Sequence, residues 1–171
     1  MRTPLAGLAG LVALAAPAMV ALPSQAAAPA ESWVMTSPTV HSVEHPIRIT
    51  AVGPISGSGV LTQTEEQTPT GEVVHFTWHF QTGTVTGDAV EEYGITFDPT
   101  ACTAKATSTG TWTLTGGTGS YTGASGHGTF HGHATLVGSR DSRGQCLGPE
   151  TNVEPKVAIA VLKGTGEADK S

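Results

Sequence analysis

The chain has 171 residues, with 8 Lys plus Arg against 14 Asp plus Glu and a formal net charge of −6. That balance argues against nucleic acid and anionic membrane surfaces as partners, because both are bound through a surplus of basic residues. Charged residues are only 13% of the chain while Gly reaches 22, a composition short of the solvated faces that helices carry.

The N-terminus reads as a secretory signal peptide spanning residues 1–26. Arg2 supplies the positive start, an uncharged run rich in Ala, Leu and Val follows from Leu5 to Leu22, and Ser24-Gln25-Ala26 fits the small-x-small cleavage pattern, with cleavage expected after Ala26. Pro17 interrupts the apolar run and no cluster of Lys or Arg follows it, so a retained membrane anchor is disfavoured. No Cys lies in the first hundred residues, which removes a lipoprotein anchor. The expected product is secreted and has no membrane attachment. With Arg2 gone, Lys plus Arg falls from 8 to 7 against 14 acids, giving −7.

Residues 27–45 are expected to form a flexible lead-in, rich in Ala, Pro, Ser and Thr. Beyond it the apolar period is two rather than 3.6, which points to strands. Candidate strands are 47–52, 59–64, 72–81, 82–86, 91–98, 103–107, 110–115, 126–139 and 156–162, with turn signals at Gly53-Pro54, Pro69-Thr70-Gly71, Gly87-Asp88, Asp98-Pro99 and Gly148-Pro149. No amphipathic helix is expected after the signal. Residues 46–164 are taken as the barrel domain and 165–171 as a C-terminal tail.

The alternation sorts side chains onto faces. Val74, Phe76, Trp78 and Phe80 share one face, and His75, Thr77, His79 and Gln81 the other. Glu91, Tyr93, Ile95 and Phe97 point together, as do Trp112 with Leu114, and Phe130 with Ala134 and Leu136. The segment 156–162 is apolar on both sides and reads as a central or closing strand. Eight or nine short antiparallel strands predict an all-β fold, a single antiparallel up-and-down β-barrel of about eight strands. Its interior would hold Val74, Phe76, Trp78, Phe80, Tyr93, Phe97, Trp112 and Phe130. A small barrel has room for packed side chains or for one small ligand, and the expected cavity residues are Phe76, Trp78, Phe80, Tyr93, Phe97, Trp112 and Phe130.

The two cysteines, Cys102 and Cys146, are expected to form a disulfide, as an even count in an exported chain suggests. No CxxC motif is present, so redox catalysis is disfavoured.

The stretch from Gly110 to Phe130 reads as strand, glycine-rich turn, strand. Gly116, Gly117 and Gly119 suit a tight turn, while Gly123, Gly126 and Gly128 recur in a strand, where glycine marks bulges, bends or close backbone contact. The pattern Gly116-Gly117-Thr118-Gly119-x-Tyr121-x-Gly123-Ala124-x-Gly126-x-Gly128-Thr129 resembles the glycine-rich hairpin of allene oxide cyclase and dirigent-like barrels, most of all secreted actinobacterial members without assigned activity. The match covers roughly residues 108–138, and Gly57-Ser58-Gly59-Val60-Leu61-Thr62 is similar to a first barrel strand. The resemblance implies an eight-stranded, calycin-like barrel with an apolar cavity, open to homo-oligomer formation. It implies no catalytic residue for this chain.

Residues able to carry chemistry are few. His131-x-His133 sets two imidazoles on one strand face, about 7 Å apart, with His127 one step along. His75 and His79 share a face of another strand. Were those strands adjacent, His75, His79, His131 and His133 could meet Zn²⁺ or Cu²⁺; the plainer reading is a solvated Thr/His exterior, with no metal. Glu91, inside an apolar barrel, would have a raised pKa and could act as a general acid or base, and Tyr93 and Tyr121 are further candidate donors. Gly123-Ala124-Ser125-Gly126-His127 fails the G-x-S-x-G pattern, and no nucleotide fingerprint, P-loop or H-E-x-x-H motif is present, so no cofactor is expected. Protonating the seven His would bring the charge near zero, predicting self-association around pH 5–6.

Three functions fit these observations. The first is a secreted barrel that binds a small apolar or aromatic ligand or serves as an extracellular structural module. The second is a cyclase or isomerase working on a hydrophobic substrate in the cavity. The third is a partner-binding protein, with an apolar patch at Trp33, Val34 and Met35 ahead of the barrel.

Overall fold

The computed structural model describes residues 29–37, 46–68, 71–147 and 157–170. The expected signal peptide and its cleavage site lie outside them. Eight strands run in chain order: β1 (Ala30–Ser37), β2 (Ile47–Val52), β3 (Gly57–Thr68), β4 (Gly71–Phe80), β5 (Gly83–Asp98), β6 (Thr103–Gly117), β7 (Ser125–Val137) and β8 (Val157–Asp169). Each pairs antiparallel with its sequence neighbour, and β8 returns to β1 with Trp33 opposite Gly164 and Met35 opposite Leu162. The result is a closed up-and-down barrel, which leaves no sheet edge unpaired. The one helical piece among the described residues is a 3₁₀ turn, Gly119–Tyr121, and no helix there is long and apolar enough to cross a membrane.

Three expectations need correction. Residues 30–37 are not a lead-in: they form β1, a full member of the barrel, and Trp33 is a core residue, 3% exposed. The flanking Ala and Pro hid an alternation in which Glu31, Trp33 and Met35 point inward. The tail expected at 165–171 is strand through Asp169. Finally, the segments expected at 82–86 and 91–98 are one strand, as are 103–107 and 110–115.

The last correction shows what the glycines do. Gly87 does not turn the chain; a Cβ there would meet the Phe76 ring at 2.5 Å, and the β5–β6 register shifts at Thr86/Gly87 instead. Gly116 and Gly117 likewise lie within β6; positive φ in the following turn falls to Gly119 and Gly123. The strand glycines are seats for aromatic rings. Gly128 and Gly166 face each other under Trp112, each with room for a Cβ only 2.7 Å from the indole; Gly110 lies under Phe130; Gly164 lies directly under Trp33. Bare backbone lets each large ring lie flat against the neighbouring strand, which is how so small a barrel packs three tryptophans.

The two ends of the barrel differ. At one end the β2–β3 loop, the short β4–β5 turn and the 3₁₀ turn between β6 and β7 close over the core. Ile55 is fully buried there, and the Tyr121 hydroxyl donates to the Ser56 carbonyl at 2.7 Å. At the other end the long strands β5–β8 run on past the packed core. A Cys102–Cys146 disulfide, with Cα atoms 5.3 Å apart and 44 residues apart in sequence, ties the β5–β6 turn there to the segment after β7. The chain-entropy estimate for closing such a loop is about 4 kcal/mol.

Candidate functional site: the barrel interior

Inward alternation on four strands converges in one aromatic cluster. Trp78 lies edge-on to Trp33 (centroids 5.9 Å) and stacks on Phe76 (5.2 Å, 18° between planes), while Trp33 also meets Trp112 (6.4 Å) and Phe130 (6.1 Å). Phe80 continues the cluster to Tyr121 at the closed end (5.0 Å). Such edge-on and offset pairs add to the burial of large apolar surface.

The cluster does not fill the barrel. A cavity of about 40 Å³ remains above it, lined by Trp33, Met35, Leu61, Gln63, Val74, Phe76, Trp78, Ala89, Glu91, Trp112, Phe130 and Leu162. Its walls are aromatic and aliphatic, but its polar groups are unusual. The Trp112 indole N–H donates to the Thr129 carbonyl at 3.3 Å, whereas the buried N–H groups of Trp33 and Trp78 have no acceptor among the described residues. A buried donor left unpaired costs roughly 1–3 kcal/mol. A cavity of this size has room for water.

Glu91 is the titratable group of this cavity. Burial raises its pKa, the nearby Ser108 hydroxyl opposes that rise, and the charges of Glu72 and Glu65 add to it. The Ser108 Oγ itself is buried without a well-formed hydrogen bond, so it touches the Glu91 carboxyl only through a weak, poorly aligned contact. Glu65 and Glu72 stand at the mouth, each held by an inner-face amide: Gln63 donates to Glu65 at 3.0 Å and Gln67 to Glu72 at 2.8 Å.

Of the residues expected in a cavity, Phe76, Trp78, Trp112 and Phe130 line it, and Phe80 lies deeper in the core. Tyr93 and Phe97 do not line it. Tyr93 sits on the inner side of β5 but above the packed core, 62% exposed, and Ile95 beside it is 57% exposed. Among the candidate acid–base groups, Glu91 reaches the cavity, Tyr93 stands at its open end, and Tyr121 is engaged at the closed end with Ser56. Trp33 and Met35, read from sequence as a surface patch, line the interior; Val34 points outward and is 38% exposed.

The histidines all face outward among the described residues. β4 and β7 are separated by β5 and β6, so His75 and His79 do not meet His131 and His133. No group of three or more His, Cys, Asp or Glu side chains suited to a metal forms among the described residues. His75 instead pairs with Asp88 at 2.7 Å and lies 3.6 Å from Glu66, which raises its pKa through those hydrogen bonds. His79 shares a 2.9 Å hydrogen bond with Thr62. A shallow outer groove of about 290 Å³ runs past His75, Thr77, Thr86 and Thr115; its walls are mostly polar side chains open to water.

Sequence reading missed one buried acid. Glu31 is 2% exposed under the β2–β3 loop, where its Oε2 accepts from the Ile55 N–H at 2.9 Å and its Oε1 has no partner among the described residues. Burial pushes its pKa up to about 7, against the Ile55 N–H and the Lys170 charge. Its signal was the Glu31–Trp33–Met35 alternation.

No family model, curated protein or solved structure matches this chain.

Proposed function

We propose that this is a secreted barrel protein that holds a small, largely apolar ligand in its interior. The observation that carries the reading is the cavity above the tryptophan cluster, walled by Trp33, Trp78, Trp112 and Phe130 and bordered by Glu91. An export signal and a disulfide fit an extracellular setting. The outer face carries Thr, His and charged residues where a lipid-facing barrel would carry an apolar band. Kinship with allene oxide cyclase and dirigent-like barrels is part of the proposal; the glycine-rich hairpin and the closed eight-stranded architecture support it.

Glu91 gives a second reading some weight, a cyclase or isomerase using that carboxyl as general acid or base. Catalysis asks for several convergent polar groups, and here Tyr121 is at the opposite end and Tyr93 stands in solvent, so ligand holding comes first. Native mass spectrometry of protein purified from culture medium without refolding tests it. An extra mass of small-molecule size, lost on denaturation, is expected. A bare mass that also takes up no added apolar compound would contradict it.

A further inference from the structure

The loop between β2 and β3 is built like a flap. Two glycines with positive φ stand at its ends, Gly53 at 143° and Gly57 at 144°, a backbone conformation that side chains with a Cβ rarely adopt. Between them Pro54-Ile55-Ser56 covers the closed end of the barrel, with Ile55 fully buried in the core. Two hydrogen bonds latch it there. The Ile55 N–H donates to Glu31 Oε2 at 2.9 Å, and the Ser56 carbonyl accepts from the Tyr121 hydroxyl at 2.7 Å.

The first latch is a titratable group in a place that suits its neutral form. Glu31 is 2% exposed, and its Oε1 is buried with no partner among the described residues. Gly53 lies so close that a Cβ there would stand 2.6 Å from Oε2, so the seated loop itself walls the carboxyl from water. The loop brings no charged side chain to it, and neither does Val52 at the end of β2. On β8, Gly166 lies opposite Glu31 while Glu167 and Asp169 alternate outward. The charge that reaches Glu31 is that of Lys170, just past β8, whose ammonium stands 5.5 Å over the Tyr121 ring. A carboxylate buried with a single hydrogen bond is costly, and lifting the loop admits water to it.

We infer that the β2–β3 loop is a pH-operated flap, seated over the core while the Glu31 carboxyl is neutral and released on its two glycine hinges once that carboxyl ionises, with the barrel behind it still folded. The flap stands apart from the ligand-holding reading, because it opens the end of the barrel away from Glu91.

The sign and size follow from linkage. Under the seated loop, burial holds the Glu31 pKa at about 7; with the loop released it returns to its ordinary 4.5. The ratio of released to seated loop should therefore rise tenfold per pH unit between those values, about 300-fold in all, and level off above pH 7.

Hydrogen exchange of the Ile55 amide reads that ratio, followed by NMR on the full mature protein from pH 5 to 8 and corrected for the intrinsic pH dependence of exchange. The Trp112 amide, in the β6 ladder, reads opening of the whole barrel. Ile55 is expected to exchange at least about tenfold faster than Trp112 and to accelerate along that curve. In Glu31→Gln, which keeps an acceptor for the Ile55 N–H, the pH dependence should vanish. Tyr121→Phe removes the second latch and leaves Glu31 in place; it should raise the Ile55 rate by one constant factor at every pH, which keeps the test open if the first variant misfolds. An Ile55 rate equal to that of Trp112 would overturn the flap, because the loop would then open only with the barrel. A corrected Ile55 rate that is flat in pH, or a slope that survives Glu31→Gln, would overturn it as well.

Discussion

Strand β5 passes through two environments, and their contrast explains the molecule. In its first half Val85 is fully buried and Gly87 and Ala89 lie against Phe76 and Trp112. In its second half the same alternation presents Tyr93 and Ile95, more than half exposed. The sequence pattern is continuous; what changes is the surroundings. Around Val85 the neighbouring strands supply Trp78 and Trp112 and the closing loop supplies Ile55, whereas level with Tyr93 and Ile95 the paired strands β6 and β7 present Ser108, Ala106, Gly132 and Ala134, small residues. One half is built for packing and the other is left open above a cavity.

Mutations can break that contrast. The largest effect is expected for Trp78→Ala, which removes a ring touching Trp33, Phe76 and Phe80 and should cost roughly 3–5 kcal/mol in denaturant unfolding. Ile95→Ala, on the same inner surface but exposed, should stay within ~0.5 kcal/mol. Equal costs would mean that the open half is covered in solution.

The buried acid sharpens the comparison next. The folded-state pKa of Glu31, about 7, lies above its ordinary 4.5, so the folded protein binds more protons than the unfolded chain between those values. The Glu31 contribution to stability should therefore be full below pH 4.5, fall as pH rises to about 7, and then level off, a loss of roughly 3 kcal/mol. Glu31→Gln keeps the acceptor for the Ile55 N–H and should flatten that slope, stabilising the protein above pH 7. A slope unchanged in the variant would place its origin elsewhere.

A smaller effect separates two glycines. At Gly164 a Cβ would collide with the Trp33 indole, so Gly164→Ala should cost about 1–3 kcal/mol. At Gly94, in the open half, a Cβ meets only the Thr107 hydroxyl at 3.6 Å, and Gly94→Ala should be neutral or stabilising by up to ~0.5 kcal/mol. Thermal melts of the two variants read the difference directly.

Much of this was legible in the sequence, for a physical reason. A period of two fixes which residues share a face regardless of partner, so Val74, Phe76, Trp78, Phe80, Trp112 and Phe130 were placed inward without knowing the topology, and the two apolar sides of 156–162 marked it as a central or closing strand. What alternation cannot give is depth along the axis. Glu91 and Tyr93 are two residues apart on one face, yet one borders the cavity and the other stands in solvent, because strand length and stagger decide depth. The glycines misled for a related reason: Gly87 reads the same whether it turns the chain or seats a ring from the next strand, and only the neighbour, Phe76, distinguishes the two.

The central claim is that the space between the indoles receives a small molecule. The indole ¹H–¹⁵N resonances of Trp33, Trp78 and Trp112 report it, because all three rings line that space. On titration with 1-hexanol, the three signals should shift together and saturate. Signals that stay still throughout would contradict the account.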